Sequence, residues 1–598
     1  MKLRWQFGLI AGVFLAIFTL YPQFKLIYQR GDQWQGHYAY NDIDEVAYAA
    51  YVRALIDGRP RKNDPYTGRD DSVETPQPES LFSIQFAAPY TIVIPARLLG
   101  IGAPTAMTAA GALAGFFAAL AAFWLIARLT ASSWFGLAGS LVVLVGGALA
   151  AGEGAISEMA GGGFAYPYFP AFRRYVPSMP FPFFLAMCAL VWLLLNTENA
   201  RRRVIYVALA SFCFAYTVFS YFYTWTTAAA WLGCVAAVWL VARPEGFGKD
   251  LKWMLGLGAG CLASLAPYAY LLSKRGETMD NIQLLVRTHR PDLNRVPEFI
   301  SLVVLVMLAA GVWTKVIELK ARSTLFAISF ALVPLVVFNQ QIITGRSLQP
   351  IHYKVFIGNY VALLALVVTI GILARQVFVE KALYSKIACA ALALAAVVWG
   401  FVECQYTSRP LDEANVSRDE AVPVARRLEE FARTDADPHR TTVLHYGFES
   451  DDLPTIAPQN LLWTRHQHVF AGLGWEESKE RYYQFLYYMN LDEYQLENQL
   501  LHGDFISTIA LFGWGRHTDR LTTEAKPLTY REVAAEARRY GEYCRNFSLR
   551  QASNPKLSYL VIPENVQIDL TNVDLWYERD SGERIGKYTL YKLKLKGE

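Results

Sequence analysis

The feature that most constrains this chain is a series of long apolar runs. A first run extends from the N-terminus to about Tyr28, and others recur at 104–127, 134–151, 181–196, 203–220, 224–242, 251–273, 297–314, 323–339, 354–374 and 383–402. About 20 apolar residues in a helix cross the hydrocarbon core of a bilayer, where every backbone N–H and C=O must find its partner within the segment. A chain patterned this way is a helical bundle in lipid. Composition points the same way: of 598 residues 54% are hydrophobic and only 18% charged, against about 25% charged in an ordinary soluble domain. One large soluble core, disorder, a collagen-like chain and a small disulfide scaffold are all excluded. The net charge of +4 is small, and its basic residues sit at the ends of apolar runs rather than in a patch, which excludes nucleic acid as a partner.

Charge at the ends of the runs sets their orientation. Lys2 and Arg4 precede the first run, no small-residue cleavage site follows it, and it reads as an uncleaved helix that starts in the cytoplasm. Arg201-Arg202-Arg203, the stretch from Arg243 to Lys252, Lys315 to Arg322 and Arg375 to Lys381 then fall on the same side if about eleven spans alternate. The apolar segment from Leu81 to Leu99 would reverse that order if it spanned. Interrupted by Pro89 and Pro95, residues 81–100 read as an interfacial or re-entrant element, with a twelve-span chain as the alternative.

Beyond Val402 the composition changes and no run is long enough to span. Residues 404–598 read as a soluble α/β domain, outside the cytoplasm because an odd number of spans precedes it. Helical periodicity appears around 419–434 and 476–500, and strand-like runs at 441–446, 506–512, 557–562 and 587–594. Five of the seven cysteines lie inside apolar runs. Only Cys404 and Cys544 are placed to face water, where one disulfide could join them, and no spacing suggests a metal or redox site.

Polar chemistry concentrates in the loops of the outer face. The first, residues 29–80, contains Tyr38, Asp42, Asp44 and Glu45 ahead of a short helix that Gly58 stops. Asp44 there is either a helix N-cap or a general base held at the membrane boundary. Loop 152–180 ends in Arg173-Arg174-Tyr175 on the side where arginine is unusual, so the pair is either an interfacial anchor or an anion site. Loop 274–296 adds Arg287, His289, Arg290 and Arg295. The segment 339–354 joins two spans with far more hydrogen-bonding groups than a turn needs. Arg346, His352 and Lys354 suit a phosphate, while Gln340, Gln341 and Gln349 suit hydroxyl groups, against the plainer reading of a polar loop.

An uncleaved first helix, a long outer loop opening on paired acids, an interfacial element before the second span and an outer C-terminal domain together resemble the GT-C membrane glycosyltransferases. The local pattern is closest to the protein O-mannosyltransferases and their bacterial relatives that use lipid-linked sugars. Asp44-Glu45 matches their first-loop Asp-Glu pair. The stretch 81–127, with Gly100, Gly102 and a small-residue helix ending near Arg128, is similar to theirs. The likeness covers residues 1–150 and, beyond them, only the layout, with 1–403 as the catalytic membrane module. Asp42-x-Asp44 also resembles metal-dependent oligosaccharyltransferases, but the C-terminal domain has no Trp-Trp-Asp-Tyr-Gly-like signature.

The resemblance implies inverting transfer from a polyprenyl-phosphate sugar to a hydroxyl of an envelope glycan, lipid or protein at the outer membrane face, and the alanine-rich spans fit a bacterial inner membrane. Asp44 would be the base, Asp42 or Glu45 would orient the acceptor or tune the base, and Arg173, Arg174, Arg290, Arg346, His352 and Lys354 would bind the donor phosphate. Tyr38, His289 and the three glutamines would contact sugar or acceptor. No cofactor or metal ligand is assigned, and dependence on a divalent cation stays open. The competing classes are a lipid-linked oligosaccharide polymerase or ligase, a transporter and a non-catalytic glycolipid binder. Transporters favour internal repeats and mid-membrane charges, and these spans show neither.

Overall fold

The computed structural model describes residues 3–162, 173–279, 285–380, 382–516 and 527–597. Each of the eleven apolar runs forms a helix, beginning with α1 (Trp5–Arg30) and ending with Ala382–Ser408. Among the described residues, seven helical segments are long and apolar enough to cross a membrane. Ser133–Val145, Pro180–Asn196 and Arg322–Val337 are shorter. The run expected to reach residue 151 breaks at Gly146 and resumes as Gly147–Ala151. A Cβ at Gly147 would lie 2.2 Å from the Tyr360 ring, so only glycine admits this approach.

Side chains that water would penalise cover the outside of the bundle: Leu98, Val241 and Trp313 are 82%, 85% and 87% exposed. That surface faces lipid, and the chain is an integral membrane protein. Polar contacts sort the helix ends into two sets. At one end Arg322 pairs with Asp250 at 2.9 Å, beside the loops at 197–203 and 243–250. At the other, Lys25 pairs with Asp412, and Lys354 with Glu153, each at 2.5 Å. Residues 81–99 fold as a turn, Leu81–Ile84, capped by Ser80, and a separate helix, Ala87–Leu99. Thirteen residues span about 20 Å, short of the roughly 30 Å hydrocarbon core.

The first outer loop carries α2 (Glu45–Ile56). Two short strands, β1 (Leu285–Arg287) and β2 (Arg346–Leu348), pair antiparallel at the same end of the bundle. The helix Ala382–Ser408 continues past residue 404 through a turn into Asp412–Ala432, so the division placed at 403/404 falls within a helix.

A mixed sheet follows, made of β3 (Thr442–His445), β4 (Asn460–Leu461), β5 (Leu557–Pro563), β6 (Tyr577–Arg579), β7 (Glu583–Ile585) and β8 (Tyr588–Leu595). Its order is β4-β3-β5-β8-β6, with β7 beside β8. β3 runs parallel to β4 and β5, and β8 antiparallel to β5. Successive strand residues face opposite sides. Val443 and Val561 accordingly join the hydrophobic core of the membrane bundle, while Leu444 and Leu560 pack toward Tyr487 and Tyr488 of the helix Trp475–Tyr488.

Two expectations need correction. Residues 506–512 are not a strand but lie in the helix Phe505–Phe512. Asp504 caps that helix by accepting from Ser507 N–H at 2.6 Å, which outweighs the β-branched pattern. Cys404 and Cys544 form no disulfide. Cys404 is buried against the Phe18 carbonyl, while Cys544 packs among the helices over the sheet.

Candidate functional site

The first-loop acids fold into a turn that aims each carboxylate differently. Asp42 Oδ1 accepts the Asp44 N–H at 2.8 Å, closing an Asx turn that starts α2. Asp44 occupies the N-cap position but makes no side-chain cap bond. Its carboxylate instead meets Arg173 Nη2 at 2.8 Å through Oδ2, and faces His466 Nε2 at 3.6 Å through Oδ1. Glu45, inside the first turn, points the other way. It accepts Arg174 N–H at 2.7 Å and Arg174 Nη2 at 2.9 Å, and is wholly buried. The Arg174 guanidinium stacks over Tyr38, whose hydroxyl donates to the Glu45 carbonyl.

Arg173 lies at the centre of the site. Its guanidinium packs 4.6 Å from the Phe356 ring centroid, bonds the Tyr48 hydroxyl, and approaches Asp42 Oδ2 at 3.7 Å. Only 2% of it is exposed, yet among the described residues Nε and Nη1 have no hydrogen-bond partner, and neither has Asp42 Oδ2. Arg418, Arg174, Arg465 and Arg481 likewise have buried guanidinium nitrogens without a hydrogen-bond partner, which is uncommon for buried donors.

The C-terminal portion closes the other side. The segment 448–455 is held against the first loop by Tyr40, whose hydroxyl donates to Asp452 at 2.5 Å, and by Tyr66, which donates to the Asp451 carbonyl. Arg418 completes the clamp, 2.9 Å from Asp452. Asp451 thereby reaches His466, with its Oδ2 2.9 Å from Nδ1, while its Oδ1 accepts from Thr464 and from the His466 N–H.

Burial and ion pairing push these groups apart. Burial raises the Asp42 carboxyl, with Asp44 adding to the effect and Arg173 only partly offsetting it, to about 6. Burial likewise outweighs Arg174 at Glu45, which rises to about 7. At Asp44 burial is outweighed by Arg173 and His466, and the carboxyl lies well below the usual range. Burial opposes the His466 imidazolium, but Asp451 and Asp44 more than compensate and raise it. Asp451 is lowered to about 2 because His466 overcomes its burial. Asp44 is thus held ionised by Arg173, with His466 adding to the effect.

Several other residues singled out from the sequence surround or miss this centre. His352 bonds Tyr221 at 2.9 Å, packs against Phe356, and lies near enough to act electrostatically on Asp44. Gln349 accepts from Tyr223 at 3.3 Å, and Tyr223 packs on His352. Lys354 is paired with Glu153. Gln340 and the exposed Arg346 line a separate cavity of ≈ 390 Å³ with Phe222, Trp225, Val337 and Tyr353. Gln341 donates to the carbonyls of Phe338 and Arg290, and His289 contacts the Ile342 carbonyl, so these side chains tie loops together. Among the described residues, no group of three or more His, Cys, Asp or Glu is placed to hold a metal ion.

His466, Asp451, Tyr48 and Tyr221 were not singled out from the sequence. A signal existed for the first: two of the chain's nine histidines fall at 466 and 468, just after the apolar Leu461-Leu462-Trp463.

No family model and no curated protein matches the chain. Among solved structures it is similar to ArnT from Cupriavidus metallidurans bound to undecaprenyl phosphate, at 14% identity over 97% of each chain with a TM-score of 0.39. A likeness of that size assigns neither residues nor activity, and the site is interpreted from its own geometry.

Proposed function

We propose that this chain is a GT-C-type inverting glycosyltransferase that moves a sugar from a polyprenyl-phosphate donor to a hydroxyl acceptor. Its site opens at the outer face of a bacterial inner membrane, where the C-terminal α/β portion also lies. One observation carries the reading. An ionised aspartate, Asp44, is salt-bridged to a buried arginine whose Nε and Nη1 have no hydrogen-bond partner among the described residues, at the end of a membrane bundle.

The acceptor oxygen attacks the anomeric carbon from the face opposite the phosphate, and its proton passes to Asp44. The bond from the anomeric carbon to the phosphate oxygen breaks with its electron pair on the departing polyprenyl phosphate. The Arg173 guanidinium, whose Nε and Nη1 lack a hydrogen-bond partner among the described residues, would bind that phosphate and stabilise the charge that develops on it, with His352 nearby. A phosphate that engages Arg173 also draws the cation away from Asp44. The carboxylate then becomes a better base when the donor is in place.

The reading is tested by mass spectrometry of lipid-linked and envelope glycans from cells lacking the gene, complemented with the wild type or with Asp44→Asn. The deletion should lose a glycan modification and accumulate its lipid-linked sugar, and only the wild type should restore it. Unchanged glycans on deletion, or full restoration by Asp44→Asn, would defeat the proposal.

A further inference from the structure

The assignment of Asp44 leaves unexplained why a buried histidine of the C-terminal portion should face it. His466 is 4% exposed and Asp451 3%, and neither belongs to the membrane bundle. The imidazole is fixed from both ends: Nδ1 lies 2.9 Å from Asp451, and Nε2 points at the Asp44 oxygen that Arg173 does not hold. The Asp451 carboxylate is itself held by Thr464 and by the His466 backbone, and its segment is anchored to the first loop through Tyr40 and Tyr66. A carboxylate that backs an imidazole fixes its tautomer and ring plane.

Building on the glycosyltransferase reading, we infer that His466, backed by Asp451, is a positioning residue for Asp44. It directs the Oδ1 oxygen toward the acceptor hydroxyl, so that the C-terminal portion completes the catalytic site rather than covering it. The gap of 3.6 Å between Nε2 and Oδ1 exceeds a direct hydrogen bond. It leaves Oδ1 accessible to an incoming hydroxyl, while Oδ2 is committed to Arg173.

The groups that act on His466 come from two elements: Asp44 and Asp42 from the first loop, and Asp451, Arg465 and His468 from the C-terminal portion. The three carboxylates favour the imidazolium, and Arg465 and His468 oppose it. Loss of the His466 side chain would therefore weaken the hold on ionised Asp44 and move the acid limb of the rate profile upward.

The test uses the full chain in detergent. The donors are undecaprenyl-phosphate monosaccharides labelled in the sugar, and the acceptor is an envelope extract. His466→Ala should lower kcat at least tenfold, leave the donor KM within about twofold, and shift the acid limb to higher pH. His466→Gln keeps a donor near the position of Nε2, so it should recover part of kcat without restoring the profile. It also serves if the alanine variant does not fold. Asp451→Asn should lower kcat in the same direction by less. No transfer by the wild type would overturn the glycosyltransferase reading and this inference with it. Transfer lost in Asp44→Asn but unchanged in both His466 variants would overturn this inference alone. A uniform fall of kcat that tracks melting temperature, with no movement of the pH profile, would also overturn it.

Discussion

Replacing Arg174 by methionine asks whether this arginine serves Glu45 or a ligand. Glu45 is 0% exposed and accepts both the backbone N–H and the guanidinium of residue 174, while Nη2 also donates to the Ala39 carbonyl. Arg174→Met leaves a buried carboxylate without its cation, which costs about 3–5 kcal/mol where the charge is retained. The charge need not be retained at every pH. Burial has already raised Glu45 from 4.5 to about 7, so the folded chain holds a proton that the unfolded chain releases. The stability linked to this group is full below about pH 4.5 and falls as pH rises through the folded value, by about 1.4 kcal/mol per unit.

In the wild type that fall ends near pH 7. Without the guanidinium the folded value climbs further and the fall continues. At pH 6 both chains carry a neutral Glu45, and the variant loses the guanidinium's bonds to Ala39 and Glu45 and its stack on Tyr38, together about 2 kcal/mol. At pH 8.5 about 2 kcal/mol is added. Glu45→Gln in the same chain keeps an acceptor for the backbone N–H and removes the titration, so the extra loss at pH 8.5 should vanish. The assay is the temperature at which half of the detergent-solubilised protein survives size exclusion, at pH 6 and pH 8.5. The reasoning is refuted if Arg174→Met matches the wild type at both pH values. It is also refuted if the folded double variant no longer binds labelled undecaprenyl phosphate, because Arg174 would then be a phosphate ligand.

Arg173→Lys keeps the charge but not the planar fork that meets Asp44, Tyr48 and a ligand together, so kcat/KM for sugar transfer should fall by about 10–100-fold in steady-state assays. Arg346 is exposed at the rim of a mostly apolar cavity, and Arg346→Ala should raise the donor KM by a few-fold, with kcat and melting temperature unchanged. Gln341→Ala should leave kinetic constants intact and lower stability by about 1–2 kcal/mol, seen as a reduced melting temperature, because two loop carbonyls lose their donor.

The layout was legible in the sequence because lipid imposes it. A span must be apolar along its whole length, and a charge bias must mark its ends, so a bundle of apolar helices can be read from hydropathy alone. The first-loop acids were legible for a related reason: carboxylates beside lipid stand out against a background that excludes charge. Residues 506–512 were misread because periodicity over so short a stretch does not separate strand from helix, and the deciding Asp504 cap lies just outside the apolar run.

What the sequence could not determine was which charges meet. Asp44 and Glu45 are neighbours in the chain, but the first turn of α2 sends one carboxylate to Arg173 and His466 and the other to Arg174. Two adjacent arginines thus meet different carboxylates, Arg173 those of Asp42 and Asp44 and Arg174 that of Glu45. Arg346, Lys354 and His352 are close in sequence as well, yet they reach a cavity rim, Glu153 and the surroundings of Asp44 respectively. Hydropathy is summed along the chain and survives without knowledge of the fold. An ion pair depends on a few ångströms between atoms hundreds of residues apart, and only the packing of the C-terminal sheet onto the first loop set the distance between His466 and Asp44.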